Sequence, residues 1–299
     1  METRTFLWWV EDRRNFDFFQ SRHIHVVPNH FYQPVPDTRL LDDDFFTKKD
    51  DLTGIAMHDE AQRTLLEELI RTYKAEYRAF PFHAAERLED FYWDNASFQC
   101  LDAVMLYGMV RHLKPSRMVE IGCGLSTRLT LAALAKNRQE GYAGSLRCIE
   151  PYPNPVVRDL LSRHMELCAQ PVQKAPFHWF TELHDGDILF IDTSHVLKYN
   201  SDVQFYFERL LPHVPAGVYV HFHDIFLPEE YPREWVMDEL RFYNEQYILR
   251  AFLTFNEVFR VILAGRYLEL KYPELVRQAL DFYPAPLVKA SSFWIRRMR

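Results

Sequence analysis

Met118-Val-Glu-Ile-Gly-Cys-Gly-Leu-Ser-Thr127 carries more information than any other stretch of the chain. A short apolar strand runs into a glycine turn, and the turn runs into a helix start. Gly122 and Gly124 let the backbone turn tightly and let a ligand come close to it. Glu120 stands just before them at the carboxyl end of the strand, where open α/β sheets bind their ligands. A pyrophosphate-binding turn avoids negative charge at this point, whereas a cationic or amino-acid-bearing ligand is favoured by it.

Outward from this turn the pattern alternates between apolar strands and helical periods, the signature of a mostly parallel sheet. Strands are expected over 117–121, 146–150, 169–173, 187–191, 218–222, 259–264 and 291–296. Helices are expected over 127–137, 156–167, 176–183 and 203–211, followed by a long helical region over 232–255 and a helix over 273–282. Upstream, Asp59 reads as the N-cap of a helix that ends before Pro81, and 98–113 reads as a second, buried helix closed by Pro115. Residues 1 to about 55 are aromatic, irregular and punctuated by proline. The expected organisation is an N-terminal arm or lid with its helix over 1–96 and a sheet domain with a helical extension over 97–299.

The composition excludes several classes. Hydrophobic residues make up 48% of the 299 residues and charged residues 26%, as in an ordinary globular protein. A net charge of −7 argues against a nucleic-acid backbone as the main partner. The four cysteines contain no Cys-x-x-Cys pair, which disfavours a zinc knuckle or a disulfide framework. The apolar run over 6–10 is too short for a signal peptide, and no run approaches the roughly 20 apolar residues of a membrane span. A cytoplasmic enzyme acting on a small molecule, with neither nucleic acid nor membrane as partner, is the expectation, and self-association is open.

Glu120, Glu150 and Asp192 each fall at the carboxyl end of an expected strand, so parallel pairing lines them along one crevice. Glu150, in Cys148-Ile-Glu-Pro151, sits where an acid accepts hydrogen bonds from both hydroxyls of a ribose. Two further segments complete the pattern: Asp185-Gly-Asp-Ile-Leu-Phe-Ile-Asp-Thr-Ser-His195 and Pro215-Ala-Gly-Val-Tyr-Val-His-Phe-His-Asp-Ile225. With these four in order, residues 97–299 resemble the class I S-adenosylmethionine-dependent methyltransferases. The resemblance implies an α/β, Rossmann-like sheet of seven mostly parallel strands with helices on both faces. It implies that Glu120, Gly122 and Gly124 hold the methionine moiety and that Glu150 holds the ribose. Ser126 replaces a glycine common in that family; its hydroxyl and Thr127 are expected at the carboxylate end of the cofactor or as a helix cap. Ser97 is expected to close over the cofactor or to cap its helix, and Gln173 to lie near the adenine.

Asp192 with His195, and His223 with Asp224, follow two neighbouring strands. Two carboxylates and two imidazoles facing one opening are enough to hold a divalent ion. The run resembles the branch that includes metal-dependent sugar O-methyltransferases. That likeness implies Asp192 and Asp224, with His223 beside them, around an ion such as magnesium. It also implies His195 as the base that deprotonates a substrate hydroxyl, with Asp192 and His223 assisting. A histidine titrating near neutrality suits the task. His223 stands where those enzymes place a second acid, so a hard, oxygen-preferring ion is less well served. His221, one register deeper, reads as a core histidine. The leading expectation is methyl transfer to a hydroxyl of a sugar or other small metabolite. The alternative is a non-haem iron hydroxylase on the same fold, using His195, His221, His223 and Asp224.

Overall fold

The computed structural model describes residues 9, 12–84, 87–284 and 286–299. Apart from Trp9, the apolar run over 6–10 lies outside the described residues. The chain resolves into two compact units, Met1–Lys48 with Tyr231–Phe242, and Lys49–Glu230 with Tyr243–Arg299. Residues 49–96, grouped with the arm in the sequence reading, thus fall within the larger unit.

The smaller unit is not wholly irregular. Helix α1 (Arg13–Gln20) starts at Asp12, whose carboxylate accepts the Arg14 N–H at 2.9 Å. A short helix, Asp43–Thr47, starts the same way from Asp42 and the Phe45 N–H. These aspartate caps were the available sequence signal. Arg233 meets Asp43 at 3.1 Å and ties the two chain segments of this unit together.

The larger unit is built on seven strands: β1 (Arg117–Ile121), β2 (Ser145–Ile149), β3 (Glu166–Cys168), β4 (Ile188–Ile191), β5 (Tyr219–Phe222), β6 (Phe259–Ala264) and β7 (Phe293–Arg297). Their order is β3-β2-β1-β4-β5-β7-β6, with β7 antiparallel to both neighbours and the rest parallel. Side chains alternate across the sheet. Met118, Leu146, Cys148, Ile188 and Phe190 face one apolar layer, which includes α2 (Asp59–Tyr77) and α3 (Cys100–Leu113). Val119, Ile121, Ile149, Leu189 and Ile191 face the other. In α3 every residue from Cys100 to Arg111 is buried, as its apolar sequence implies.

Several boundaries differ from the sequence reading, each for a local reason. The third strand is Glu166–Cys168, not 169–173, because Pro171 has no N–H for a ladder and Val172–Lys174 forms a 3₁₀ turn. The helix expected over 156–167 shrinks to Pro155–Asp159 and a single turn, Leu161–Arg163. The long helical region over 232–255 is two helices, Arg233–Met237 and α5 (Glu245–Leu253), and Asn244 adopts a non-helical conformation ahead of the second. His58 rather than Asp59 is the N-cap residue of α2, in a left-handed conformation, and Asp59 instead pairs with Lys271.

Candidate functional site

Beyond the last ladder residues, the backbone pairing continues for one more step and sets the site. The Glu150 N–H donates to the Cys168 carbonyl at 3.1 Å, and the Gly122 N–H to Ile149 at 2.9 Å. The Asp192 N–H donates to Ile121 at 2.9 Å and the His223 N–H to Ile191 at 3.0 Å. Glu150, Gly122, Asp192 and His223 therefore stand in one row along the carboxyl edge of the parallel strands. Gly122 is irreplaceable there. Its φ is +86°, and a Cβ on it would lie 1.7 Å from the Asp192 carbonyl oxygen. Gly124 has extended backbone and open space where its Cβ would be, so its missing side chain serves access rather than the turn.

Two adjoining cavities, about 400 and 430 Å³, share Gly122, Glu150 and Asp192 and together make one groove. Ser97, Gly124 and Ser126 line the glycine-turn half, and Gln173 lines the other. Glu150 accepts the Cys123 N–H at 3.3 Å and the Tyr152 N–H at 2.8 Å, which fixes its carboxylate at the junction. Gln173 sits on the turn after β3 and donates to the Asn200 carbonyl at 2.8 Å. Asn95 organises the segment around Ser97, accepting from the Ser97 and Phe98 N–H groups at 3.1 and 2.7 Å. A larger cavity of about 650 Å³ lies against the outer face of helix α4 (Leu125–Gln139), and Arg128 lines both it and the groove.

Two residues expected at the cofactor do not line the groove. Glu120 is wholly buried on the helix-facing side of β1, where its carboxylate accepts the Ser126 hydroxyl at 2.6 Å. Burial pushes its pKa up to about 8, against the lowering effect of that hydrogen bond. Strand alternation is the reason: Glu120 shares its face with Met118 and Cys148, while the groove lies beyond the strand end. Thr127 is likewise buried, its hydroxyl accepting the Gly124 N–H at 2.9 Å. Both hold the turn from beneath.

Across the groove, His195 is the hub. Its Nδ1 is 2.8 Å from the Glu245 carboxylate, and its Nε2 is 3.3 Å from Asp192 and 3.4 Å from Asp224. The Asn244 and Glu245 N–H groups at the start of α5 donate to the His195 carbonyl at 3.0 and 3.2 Å. The backbone of His195 (φ +57°) and Asp224 (φ +55°) is left-handed, a strain that non-glycine residues accept where tertiary contacts enforce it. Burial alone would lower the His195 pKa. Hydrogen bonds to Asp192 and Glu245, with the Asp224 charge, instead raise it well above the ordinary value. Burial likewise works against ionised Asp192, but the charge of His223 and the contact with His195 bring its pKa down to about 2.

The expected metal set does not fit this arrangement. The His195 imidazole occupies the space between Asp192 and Asp224. His223 Nε2 lies 3.7 Å from Asp224, and its Nδ1 is buried without a partner. Among the described residues, no group of three or more His, Cys, Asp or Glu side chains converges as a metal ion needs. The histidines of the iron alternative do not converge either. His221 pairs with the Ser292 hydroxyl at 3.0 Å and stacks on Phe190 at 4.0 Å, and burial holds its pKa well below the ordinary value. Nor is His195 poised near neutrality, because three carboxylates hold its proton.

The sequence reading missed two acids. Glu245 lies within the expected long helix with no distinguishing signal. Asp102 is a lone acid in an otherwise apolar helix, which was a signal. It accepts the Ser291 and Ser292 N–H groups at 3.0 and 2.8 Å, and Ser291 reaches Asp224 at 3.4 Å.

Comparison with known proteins follows the same lines. A family described as "Methyltransferase domain" matches residues 119–225, which run from β1 to the end of β5. An uncharacterized protein of Archaeoglobus fulgidus is 32% identical over 170 residues, 54% of this chain and 75% of its own length. An O-methyltransferase from Bacillus cereus, solved in complex with SAH, aligns at 13% identity over 79% of this chain and 91% of its own, with a TM-score of 0.39. A plantazolicin methyltransferase in complex with SAH aligns at 12% identity over 81% and 99%, with a TM-score of 0.36. Among the described residues no helix is long and apolar enough to cross a membrane. The row of strand-end residues and the family match over β1–β5 agree, and residues 119–225 belong to the methyltransferase-domain family.

Proposed function

We propose that this chain transfers a methyl group to a hydroxyl of a small, polar acceptor such as a sugar. The observation that carries the reading is the continuity of the groove: Glu150, Gly122 and Asp192 line it, and Asp192 also contacts His195. When bound, S-adenosylmethionine supplies an electrophilic methyl group on a cationic sulfonium. Asp192 offers that cation a carboxylate at the groove's inner wall. Glu150 has acceptor capacity left for two ribose hydroxyls beyond the two N–H groups it already accepts. Methyl transfer depends more on in-line positioning than on covalent help from the protein.

The acceptor side is the His195 cluster. Asp192, Asp224 and Glu245 surround the His195 imidazole, and the Nε2 side of the cluster orients the acceptor hydroxyl, whose proton passes to the Asp224 carboxylate as the oxygen–methyl bond forms and the methyl–sulfur bond breaks. Beside Asp192 the groove is lined by Thr193, Ser194 and Asp202, which suit an acceptor with several hydroxyls, and the acidic chain disfavours anionic polymers. The test is binding and turnover. S-adenosylhomocysteine at about a hundred times its Kd should stabilise the fold by about 2.7 kcal/mol. Methyl label should then pass to glycosides in preference to amines. Absence of any thermal shift at millimolar ligand sinks the cofactor reading, and label on amines alone sinks the acceptor reading.

A further inference from the structure

The glycine-turn half of the groove holds an uneven distribution of charge. Glu150 and Asp192 are its acids, and Arg128, on the first turns of α4, is its one cationic side chain among the described residues. Arg128 is poorly satisfied by the protein. Its Nη1 donates to the Asp90 carbonyl at 3.3 Å, while its Nε is buried with no hydrogen-bond partner. The nearest acids are already engaged: Arg87 lies 2.9 Å from Glu89 and 3.8 Å from Asp90. Burial without a paired carboxylate pulls the Arg128 pKa below its ordinary value. A guanidinium that lines a ligand groove without a paired carboxylate is costly unless the ligand itself supplies the acceptor.

We propose that Arg128 binds the carboxylate of the cofactor's methionine moiety, the anionic end of a ligand whose other charges are positive. This assignment rests on S-adenosylmethionine as the cofactor. The sulfonium and the amine are met by acids, and without Arg128 the carboxylate would face Glu150 and Asp192 with no cation to oppose them. Ser97 lines the same half and offers a further polar contact. The guanidinium fork matches a carboxylate, and the Asp90 carbonyl accepts from one of its nitrogens.

The experiment compares two ligands that differ only in that group, S-adenosylmethionine and its decarboxylated form, by calorimetry on the full chain. Wild type should bind the carboxylated ligand about 10- to 100-fold more tightly, the span of one charge-assisted contact. Arg128→Met should remove that preference and leave the decarboxylated ligand within about twofold of wild type. Arg128→Lys, which keeps the charge without the fork, should retain part of it. Equal affinity of wild type for both ligands, or an equal loss for both in Arg128→Met, overturns the assignment. If the Met variant does not fold, the wild-type ratio and the Lys variant still decide. Wild type binding neither ligand would bring down the cofactor reading itself, and this assignment with it.

Discussion

His195 and Glu245 form a buried pair, with Nδ1 of the imidazole 2.8 Å from the carboxylate and both side chains almost inaccessible. Tyr206 donates its hydroxyl to the other Glu245 oxygen, so the carboxylate is held from both sides. Glu245 thereby fixes which ring nitrogen faces Asp192 and Asp224. In the proposed reaction it is a positioning residue, acting through His195.

Glu245→Gln keeps the shape and removes the charge, leaving the imidazole with one less anion. Turnover should fall by about ten- to hundredfold, the usual scale for a residue that orients a functional histidine. The His195 titration, followed by NMR, should move to lower pH, because the lost carboxylate favoured the protonated ring. A double variant with His195→Gln should lose much less than the sum of the two single losses, since the side chains act as a unit. Additive losses with an unmoved titration would leave Glu245 a purely structural acid.

Gly122 and Gly124 should respond oppositely to alanine. At Gly122 the new Cβ would overlap the Asp192 carbonyl, and the positive φ adds strain. Gly122→Ala should cost about 3 kcal/mol or more, visible as a clear drop in Tm without any ligand. At Gly124 nothing lies within 4 Å of the added carbon. Gly124→Ala should melt like wild type yet bind S-adenosylhomocysteine more weakly, because Gly124 lines the groove. Calorimetric melts with and without ligand separate the two cases.

The contrast marks what could be read from the sequence. The strand–glycine–helix unit, the strand-end position of Glu150 and Asp192, and the order of the elements follow from periodicity and turn chemistry, which are local. The direction of Glu120 also was readable, since alternation from Met118 places it on the same face as Met118, turned away from the strand-end groove. The partnership of His195 with Glu245 was not readable, because the two are 50 positions apart and joined only by how α5 packs. Nor was the failure of the metal set: the residue types were present, and only the three-dimensional position of the imidazole between the two aspartates decides it.

Among the described residues the Glu150 carboxylate hydrogen-bonds to the backbone of the neighbouring turns, accepting from the Cys123 and Tyr152 N–H groups. Glu150→Ala should therefore leave the Tm of the free protein nearly unchanged and weaken S-adenosylhomocysteine by about 10- to 100-fold, as the loss of hydroxyl contacts to a charged acceptor implies. The same variant should bind free methionine, which has no ribose, no differently from wild type. A large drop in unliganded Tm would assign Glu150 to the turn rather than to the ligand.

Glu120 predicts a pH dependence of stability. Burial raises its pKa in the folded protein to about 8, whereas in the unfolded chain it titrates near its ordinary value of about 4.3. The folded state therefore holds a proton that the unfolded state releases. The stabilisation is complete below the unfolded value and is lost as pH rises through the folded one. Between pH 6 and pH 9 this single group should cost the wild type on the order of 2–3 kcal/mol. His195, whose pKa is also raised, works in the same direction, so the measurement is the difference between wild type and Glu120→Gln. Urea unfolding at several pH values should give a shallower decline for the variant, whose amide remains neutral throughout. Parallel declines would mean that the Ser126 hydroxyl and its neighbours keep Glu120 ionised in the folded protein, and that burial does not control its charge.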